Sequence, residues 1–105
     1  MAQPAVEAPA ARPRTRPRLV FFYSSRSGRC RRVEGFIAQV LQRRRNHETF
    51  VLHRIDADAR HELAERLHIR RLPTLLVITG KQVQARLEAP RGCRDIESFL
   101  APWLR

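Results

Sequence analysis

The sequence predicts an α/β domain in which helices cover both faces of a four-stranded mixed sheet. Short apolar segments rich in β-branched and aromatic residues alternate with segments whose apolar residues recur at helical spacing. A helical segment joins the first two predicted strands and makes them parallel, whereas a two-residue turn joins the last two and makes them antiparallel. With 105 residues, 43% of them apolar, the chain is long enough for one such domain.

The first strand and the first helix have the clearest patterns. Leu19 to Ser24 (LVFFYS) is a nearly continuous apolar run, which predicts a strand buried on both faces in the middle of the sheet. Ser27 is a favoured helix N-cap, and the apolar residues after it recur three and four positions apart, as on one face of a helix. These residues are Cys30, Val33, Phe36, Ile37, Val40 and Leu41.

The later elements follow from shorter patterns. Asp58 is expected to cap a short second helix, and Gly80-Lys81 is expected to form the turn of a hairpin. The predicted ranges are a strand from Thr49 to Ile55, a helix from Ala59 to His68, a strand from Leu75 to Ile78 and an edge strand from Val83 to Glu88. A last helix is marked by Ile96, Phe99, Leu100, Trp103 and Leu104, with Pro102 expected to bend or fray its end.

The positive charge is concentrated in two parts of the chain. Residues 1–17 hold four of the seven prolines, which predicts a disordered or polyproline arm, rich in Arg, Pro and Ala, ahead of a domain over residues 18–105. The net charge is +11, to which residues 1–18 contribute +3 and residues 26–45 contribute +6. Such charge attracts polyanions. A GC-rich genome that encodes its surface cations as arginine would give the same excess.

Several protein classes are excluded by composition. No apolar run approaches the ~20 residues that cross a bilayer, and the N-terminus lacks the apolar centre of a signal peptide. We therefore expect a cytoplasmic protein without a membrane partner. The 2 cysteines exclude a disulfide scaffold, and Cys93 is expected to be a free residue at a helix start. The four histidines lack metal-ligand spacing with either cysteine, so no metal site is expected.

Two stretches of the chain resemble the thioredoxin family. Arg54 to Ile78 (RIDADARHELAERLHIRRLPTLLVI) is similar to the family's strand, D-x-D segment, short helix and Pro-Thr-Leu loop. Val20 to Cys30 (VFFYSSRSGRC) is similar to its strand, aromatic-rich turn and C-G-P-C helix start. The resemblance covers about residues 18–104 and implies a minimal thioredoxin fold with the strand order 2-1-3-4. It also implies that Pro73 is a cis-proline.

The departures from the family pattern concern the redox machinery. Ser27 stands where the family places its attacking cysteine, and Cys30 keeps the position of the resolving cysteine. Phe21 replaces a buried aspartate that assists proton transfer, and Arg29 replaces the proline of the motif. Ala89 stands where a glycine lining the groove is expected. The resemblance therefore implies the fold without the dithiol.

The chemistry of the two motif residues has alternative interpretations. Thiol-disulfide exchange needs an attacking thiolate and a resolving thiol, and a serine hydroxyl cannot replace the first. Ser27 is a helix cap or, less favoured because no general base adjoins it, a nucleophile. Cys30 is a buried core cysteine or a thiolate favoured by the neighbouring arginines and the helix N-terminus. Whether the chain is an enzyme stays open.

Two candidate binding surfaces remain. The first is a groove that, by resemblance, pairs an extended peptide or glutathione with the backbone before the cis-proline. Its predicted residues are Tyr23, Arg26, Gly28, Arg29, Leu72, Pro73, Thr74 and Ala89. The second is an anion-binding cluster around the start of the first helix. Its predicted residues are Arg26, Arg29, Arg31 and Arg32.

These observations support two functional hypotheses. The first is a thioredoxin-like protein with a degenerate S-x-x-C site that lacks dithiol turnover. It would act through single-thiol chemistry at Cys30 or by binding a peptide or protein partner in the groove. No cofactor is expected, except that a weaker option has Ser27 hydrogen-bonding the thiolate of bound glutathione. The alternative is a basic accessory protein that contacts nucleic acid or a ribonucleoprotein through the arm and the arginine cluster. The sequence lacks the aromatic pattern that stacks on RNA bases, which weakens this alternative.

Overall fold

The computed structural model describes residues 16–104, and it contains four strands, three α-helices and one 3-10 helix. Residues 1–15, which hold all but the last two residues of the predicted arm, lie outside the described part, as does residue 105. The elements in chain order are β1 (Arg18–Tyr23), α1 (Gly28–Gln42), the 3-10 helix (Arg43–Glu48), β2 (Val51–Asp56), α2 (His61–Arg66), β3 (Thr74–Thr79), β4 (Gln82–Glu88) and α3 (Cys93–Leu100). No helix within residues 16–104 has the length and hydropathy to span a membrane.

The four strands form one mixed sheet in the order β2-β1-β3-β4. β1 runs parallel to β2, with Arg18 opposite Val51, and antiparallel to β3, with Phe21 opposite Leu75. β3 and β4 are antiparallel, with a register irregularity between Val77 and Ile78. The predicted fold class, the strand order and the strand directions are therefore confirmed.

The central strand separates two apolar layers. Leu19 and Phe21 of β1 belong to a cluster on the face covered by α1 and α3, whereas Val20 and Phe22 belong to a cluster on the face covered by α2. All four side chains are buried, as a strand covered on both faces requires. The continuous apolar run in the sequence therefore reflects the middle position of β1.

The second strand begins two residues later than predicted. Thr49 belongs to the turn after the 3-10 helix, where its hydroxyl donates a hydrogen bond to Oδ1 of the buried Asn46 at 2.9 Å. The side-chain amide of Asn46 in turn donates to the carbonyl of Arg43 at 2.8 Å. These local side-chain bonds compete with strand pairing and keep Thr49 out of β2.

The prediction that Asp58 caps α2 is wrong. α2 begins at His61 and has Arg60 at its N-cap position, without a side-chain cap. The main-chain N–H of Arg60 donates to the carbonyl of Asp56 at 2.9 Å, so a turn occupies the residues where the predicted helix starts. The Asp58 carboxylate instead accepts a hydrogen bond from the Ser24 hydroxyl at 2.7 Å, which ties this turn to the end of β1.

The helix α2 ends in a Schellman motif at His68. The N–H of Ile69 donates to the carbonyl of Ala64 at 2.8 Å, and the N–H of His68 donates to that of Glu65 at 3.0 Å. His68 has a φ of 58°, in the left-handed region that glycine adopts without a Cβ clash. The left-handed residue His68 therefore ends the helix at Arg66, two residues before the predicted end.

Replacing His68 by glycine is expected to raise the free energy of unfolding by about 0.5–1 kcal/mol, because the left-handed conformation costs a non-glycine residue more than it costs glycine. Urea denaturation followed by circular dichroism measures the change. The matched control is Glu65→Gly, an exposed position within α2, where glycine is expected to cost about 1 kcal/mol. A His68→Gly variant no more stable than the wild type would contradict this explanation.

The last helix ends before the last apolar residues of the predicted pattern, Trp103 and Leu104. α3 stops at Leu100, and the carbonyl of Leu100 accepts hydrogen bonds from the N–H groups of Trp103 and Leu104 at 2.9 and 3.2 Å. The frayed end predicted at Pro102 is thus a turn after the helix. Trp103 still reaches the core, where its ring packs edge-on against Phe50 with centroids 6.4 Å apart.

Candidate functional site

The start of α1 is fixed by Ser27. This residue has an extended backbone, with φ −109° and ψ 119°, and its hydroxyl accepts a hydrogen bond from the N–H of Cys30 at 3.3 Å. The N–H of Ser27 itself donates to the carbonyl of Ser24 at 3.1 Å, which closes the turn between β1 and α1. Ser27 therefore satisfies one of the free donors at the helix start. Gly28 is the first helical residue and is exposed.

The thiol of Cys30 lies in the core beneath this turn. Cys30 is 1% exposed, and it packs in the apolar cluster that contains Leu19 and Val33. The sulfur accepts a hydrogen bond from the N–H of Ser24 at 3.4 Å. Cys93, at the start of α3, is also a free cysteine, and its thiol donates to Oε1 of Gln39 at 3.0 Å. Among residues 16–104, no group of three His, Cys, Asp or Glu side chains is placed to hold a metal ion.

The loop before β3 is held in shape by two hydrogen bonds. The Leu72–Pro73 peptide bond is cis. The hydroxyl of Thr74 donates to the carbonyl of Arg71, and the carbonyl of Pro73 accepts a bond from the N–H of Ala89 at 2.8 Å. Thr74 is fully buried, so its side chain shapes the loop and is not available to a ligand.

Within the described chain, the main-chain N–H and C=O of the half-buried Leu72 make no hydrogen bond.

Ala89 occupies a backbone conformation that suits glycine. Its φ is 44°, in the left-handed region that disfavours a residue with a Cβ. The resemblance implied a glycine at this position, and the geometry gives the physical reason for one. Ala89 keeps the conformation because its N–H bond to Pro73 joins the end of β4 to the loop before β3.

The ring of Tyr23, which the sequence assigns to the groove, contacts two other side chains. It stacks on Phe21 with centroids 5.5 Å apart, and the guanidinium of Arg54 lies 5.1 Å from its centroid. Arg54 is in turn ion-paired with Glu34 of α1. Tyr23 is therefore part of the packing between β1, β2 and α1.

The predicted anion cluster is divided by the structure. Arg26 lies 3.6 Å from the Asp58 carboxylate, with which it forms an exposed ion pair. Arg29 and Arg32 instead line a cleft of about 520 Å³ on the face of α1 toward α3. Arg31 is exposed and does not line this cleft. Of the four predicted arginines, the cleft therefore brings together Arg29 and Arg32.

Two further arginines complete the cleft. Arg71, from the loop before β3, and Arg91, from the loop before α3, line it together with Arg29 and Arg32. We call this surface the arginine cleft; its remaining lining residues are Val33, Phe36, Ala89 and Pro90. Sequence reasoning missed Arg71 and Arg91 because they come from separate loops. The sequence did offer one signal, since each of the two arginines stands two residues from a residue that was assigned to the groove, Pro73 for Arg71 and Ala89 for Arg91.

Comparison with known proteins decides the family. The family model described as Thioredoxin matches residues 10–102, which is most of the sequence. This chain belongs to the thioredoxin family. No curated protein matches its sequence significantly.

Several solved structures similar to this thioredoxin-family protein are thioredoxins. The germline-specific thioredoxin Deadhead from Drosophila melanogaster is 22% identical, with a TM-score of 0.74 over 88% of this chain and 85% of that one. The oxidised thioredoxin from Plasmodium falciparum is 19% identical, with a TM-score of 0.70 over 88% and 85% of the two chains. A mutant thioredoxin from Halobacterium salinarum is 16% identical, with a TM-score of 0.72 over 88% and 78%. At these identities the likeness shows the fold.

Proposed function

We propose that this thioredoxin-family protein binds an extended peptide segment of a partner protein in the groove between the start of α1 and the loop before β3, without dithiol exchange. The observation that carries the proposal is the main chain of Leu72, whose N–H and C=O make no hydrogen bond within residues 16–104. One free donor and one free acceptor on the same residue are what an added strand of peptide requires.

The chemistry of the motif supports binding over catalysis. The position at the start of α1 that faces the groove in the family pattern carries the hydroxyl of Ser27, which is engaged as a helix cap. The sulfur of Cys30 is buried and already accepts a hydrogen bond from Ser24. A thiol in this environment is poorly placed to attack a disulfide in solution. Single-thiol chemistry at Cys30 is therefore the less favoured form of the proposal.

The proposal is tested by selecting dodecapeptides from a random phage-displayed library on the protein and measuring the affinity of an enriched peptide by isothermal titration calorimetry. The variant that tests the groove is Gly28→Trp, because Gly28 is exposed and a Cβ built on it meets no atom within 4 Å. Arg29, the next residue along α1, lines the same cleft as Arg71, the residue before Leu72, so the indole is expected to reach the groove and to lower the affinity by about tenfold or more.

The matched control is Gly35→Trp in the same helix. Gly35 is also exposed and has the same free space around its Cβ position, but it lies seven residues further along α1. Its affinity is expected to stay within about twofold of the wild type. In parallel, the amide signal of Leu72 in a ¹⁵N correlation spectrum is expected to shift when the peptide is added. Failure to enrich any peptide, or equal effects of the two tryptophan variants, would contradict the proposal.

A further inference from the structure

The arginine cleft gathers four cations from three separate parts of the chain. Arg29 and Arg32 lie one turn apart in α1, Arg71 precedes the cis-proline loop, and Arg91 precedes α3. All four residues line one cleft of about 520 Å³, and none of its lining residues within the described part of the chain is acidic. Like charges brought together in this way repel one another, so the arrangement is most favourable when an anion is present.

None of these four guanidinium groups has a partner within residues 16–104. The arginines that form ion pairs in the described part of the chain are Arg26, Arg43 and Arg54, which do not line the cleft. The carboxylate of Asp95 accepts a hydrogen bond from the main-chain N–H of Arg91 at 2.8 Å, and not from its guanidinium. The guanidinium of Arg91 is left available, as are those of the other three arginines.

The arginine cleft adjoins the proposed peptide groove. Arg71 is the residue directly before Leu72, whose main chain would pair with a peptide. Ala89 lines the cleft and also donates its N–H to the carbonyl of Pro73. In an extended peptide, alternate side chains point to the same side. Because the cleft begins at the residue next to Leu72, the side chains on one side of a peptide strand paired with Leu72 would lie beside it.

The occupant that fits this cleft is a carboxylate-bearing side chain. Guanidinium groups bind carboxylates through paired, charge-assisted hydrogen bonds. A volume of about 520 Å³ accommodates more than one such side chain, and Phe36, Val33 and Pro90 supply apolar contact for their methylene groups. Single-stranded nucleic acid instead needs aromatic faces on which bases stack. Within the described chain, Phe36 is the one aromatic residue that lines the cleft, so successive bases would find a single ring on which to stack.

We propose that the arginine cleft is a specificity pocket that selects peptides with acidic side chains, glutamate or aspartate, beside the segment that pairs with Leu72. This inference rests on the proposed function and adds the chemical class of the peptide. The protein would then recognise an acidic segment of its partner through Arg29, Arg32, Arg71 and Arg91 while the groove binds the main chain.

The test uses the peptides enriched by phage selection. They are expected to contain acidic residues more often than the starting library, and replacing the glutamates and aspartates of one peptide by glutamine and asparagine is expected to weaken its binding by about tenfold or more. The double variant R71Q/R91Q is expected to lose affinity for the acidic peptide by a similar factor. It is also expected to bind the neutral peptide as the wild type does.

The charge-matched control is the double variant R60Q/R66Q. These two arginines are exposed at the start and end of α2, on the opposite face of the sheet, and their replacement removes the same net charge. Affinity for the acidic peptide is expected to change by less than about twofold.

The outcomes separate the two proposals. Acid-independent binding that is still blocked by Gly28→Trp would overturn the specificity pocket and leave the proposed function standing. Equal losses in R60Q/R66Q and R71Q/R91Q would also overturn it, because the effect would then be one of net charge. A decamer of uridylate that binds more tightly than the acidic peptide, and loses its binding in R71Q/R91Q, would overturn it in favour of nucleic acid.

Discussion

The wild-type protein is expected to leave the rate at which dithiothreitol reduces insulin unchanged, whereas Ser27→Cys is expected to raise that rate by about tenfold or more. Reduction of a disulfide begins with attack by a thiolate, and the wild-type chain has a hydroxyl at the attacking position. Its remaining sulfur at this site, on Cys30, is 1% exposed. The turbidity of precipitating insulin B chain gives the rate.

The Ser27→Cys variant places a thiol at the N-terminus of α1. The N–H of Cys30 that now donates to the serine hydroxyl would face the new sulfur, and the helix N-terminus favours the thiolate. Cys30, three residues along the helix, is then available to resolve the mixed disulfide. Recovery is expected to be incomplete, because Phe21 stands where the family carries a buried aspartate and Arg29 where it carries a proline.

Two controls separate sulfur chemistry from helix capping. Ser27→Ala removes the cap without adding sulfur, which is expected to lower the free energy of unfolding by about 1 kcal/mol and to leave insulin reduction at background. Ser27→Cys combined with Cys30→Ser keeps the attacking thiol without the resolving one, and its turnover is expected to fall to background. Insulin reduction by the wild type above the dithiothreitol rate would contradict the loss of dithiol function.

The central part of the fold could be predicted because its patterns are local and its burial is unambiguous. β1 is apolar at every interior position because both of its faces are covered. α1 is apolar along one face because it packs on a single layer, and its buried residues include Cys30, Val33 and Ile37. The cap at Ser27 was predictable for the same reason, since its hydrogen bond to Cys30 spans only three residues.

The boundaries that the sequence misplaced depend on competing side-chain bonds. Asp58 and Thr49 are both residue types that cap helices or enter turns, and local preference does not decide between these uses. The choice is made by tertiary partners, namely Ser24 for the Asp58 carboxylate and the buried Asn46 for the Thr49 hydroxyl. Such partners become visible only when the elements have been assembled.

The candidate site was only partly predictable for a related reason. The sequence grouped Arg26 with Arg29 because they are neighbours along the chain, but Arg26 pairs with Asp58 and Arg29 lines the cleft. Arg71 and Arg91 join the cleft because the bond between Ala89 and Pro73 brings the loops before β3 and α3 together. This contact links residues far apart in the sequence, and no local pattern encodes it.

The substitution Phe21→Ala is expected to lower the free energy of unfolding by about 3–5 kcal/mol. Phe21 is 1% exposed, lies opposite Leu75 in the neighbouring strand and stacks on the ring of Tyr23. Its removal would leave a cavity in the layer that also contains Cys30. A small domain has a total stability of about 5–15 kcal/mol, so the variant is expected to be close to unfolding. Urea denaturation followed by the fluorescence of Trp103 measures the change.

The control and a second substitution at the same position establish what Phe21 contributes. Leu52→Ala removes a side chain of the neighbouring strand that is 44% exposed, and it is expected to cost less than about 1 kcal/mol. Phe21→Asp introduces the residue type that the family carries here, but apart from the thiol of Cys30 the buried members of the surrounding cluster are apolar, and none carries a positive charge to pair with the carboxylate. Its cost is therefore expected to exceed that of Phe21→Ala. An aspartate variant as stable as the alanine variant would show that this layer still accommodates the charged group of a redox-active thioredoxin.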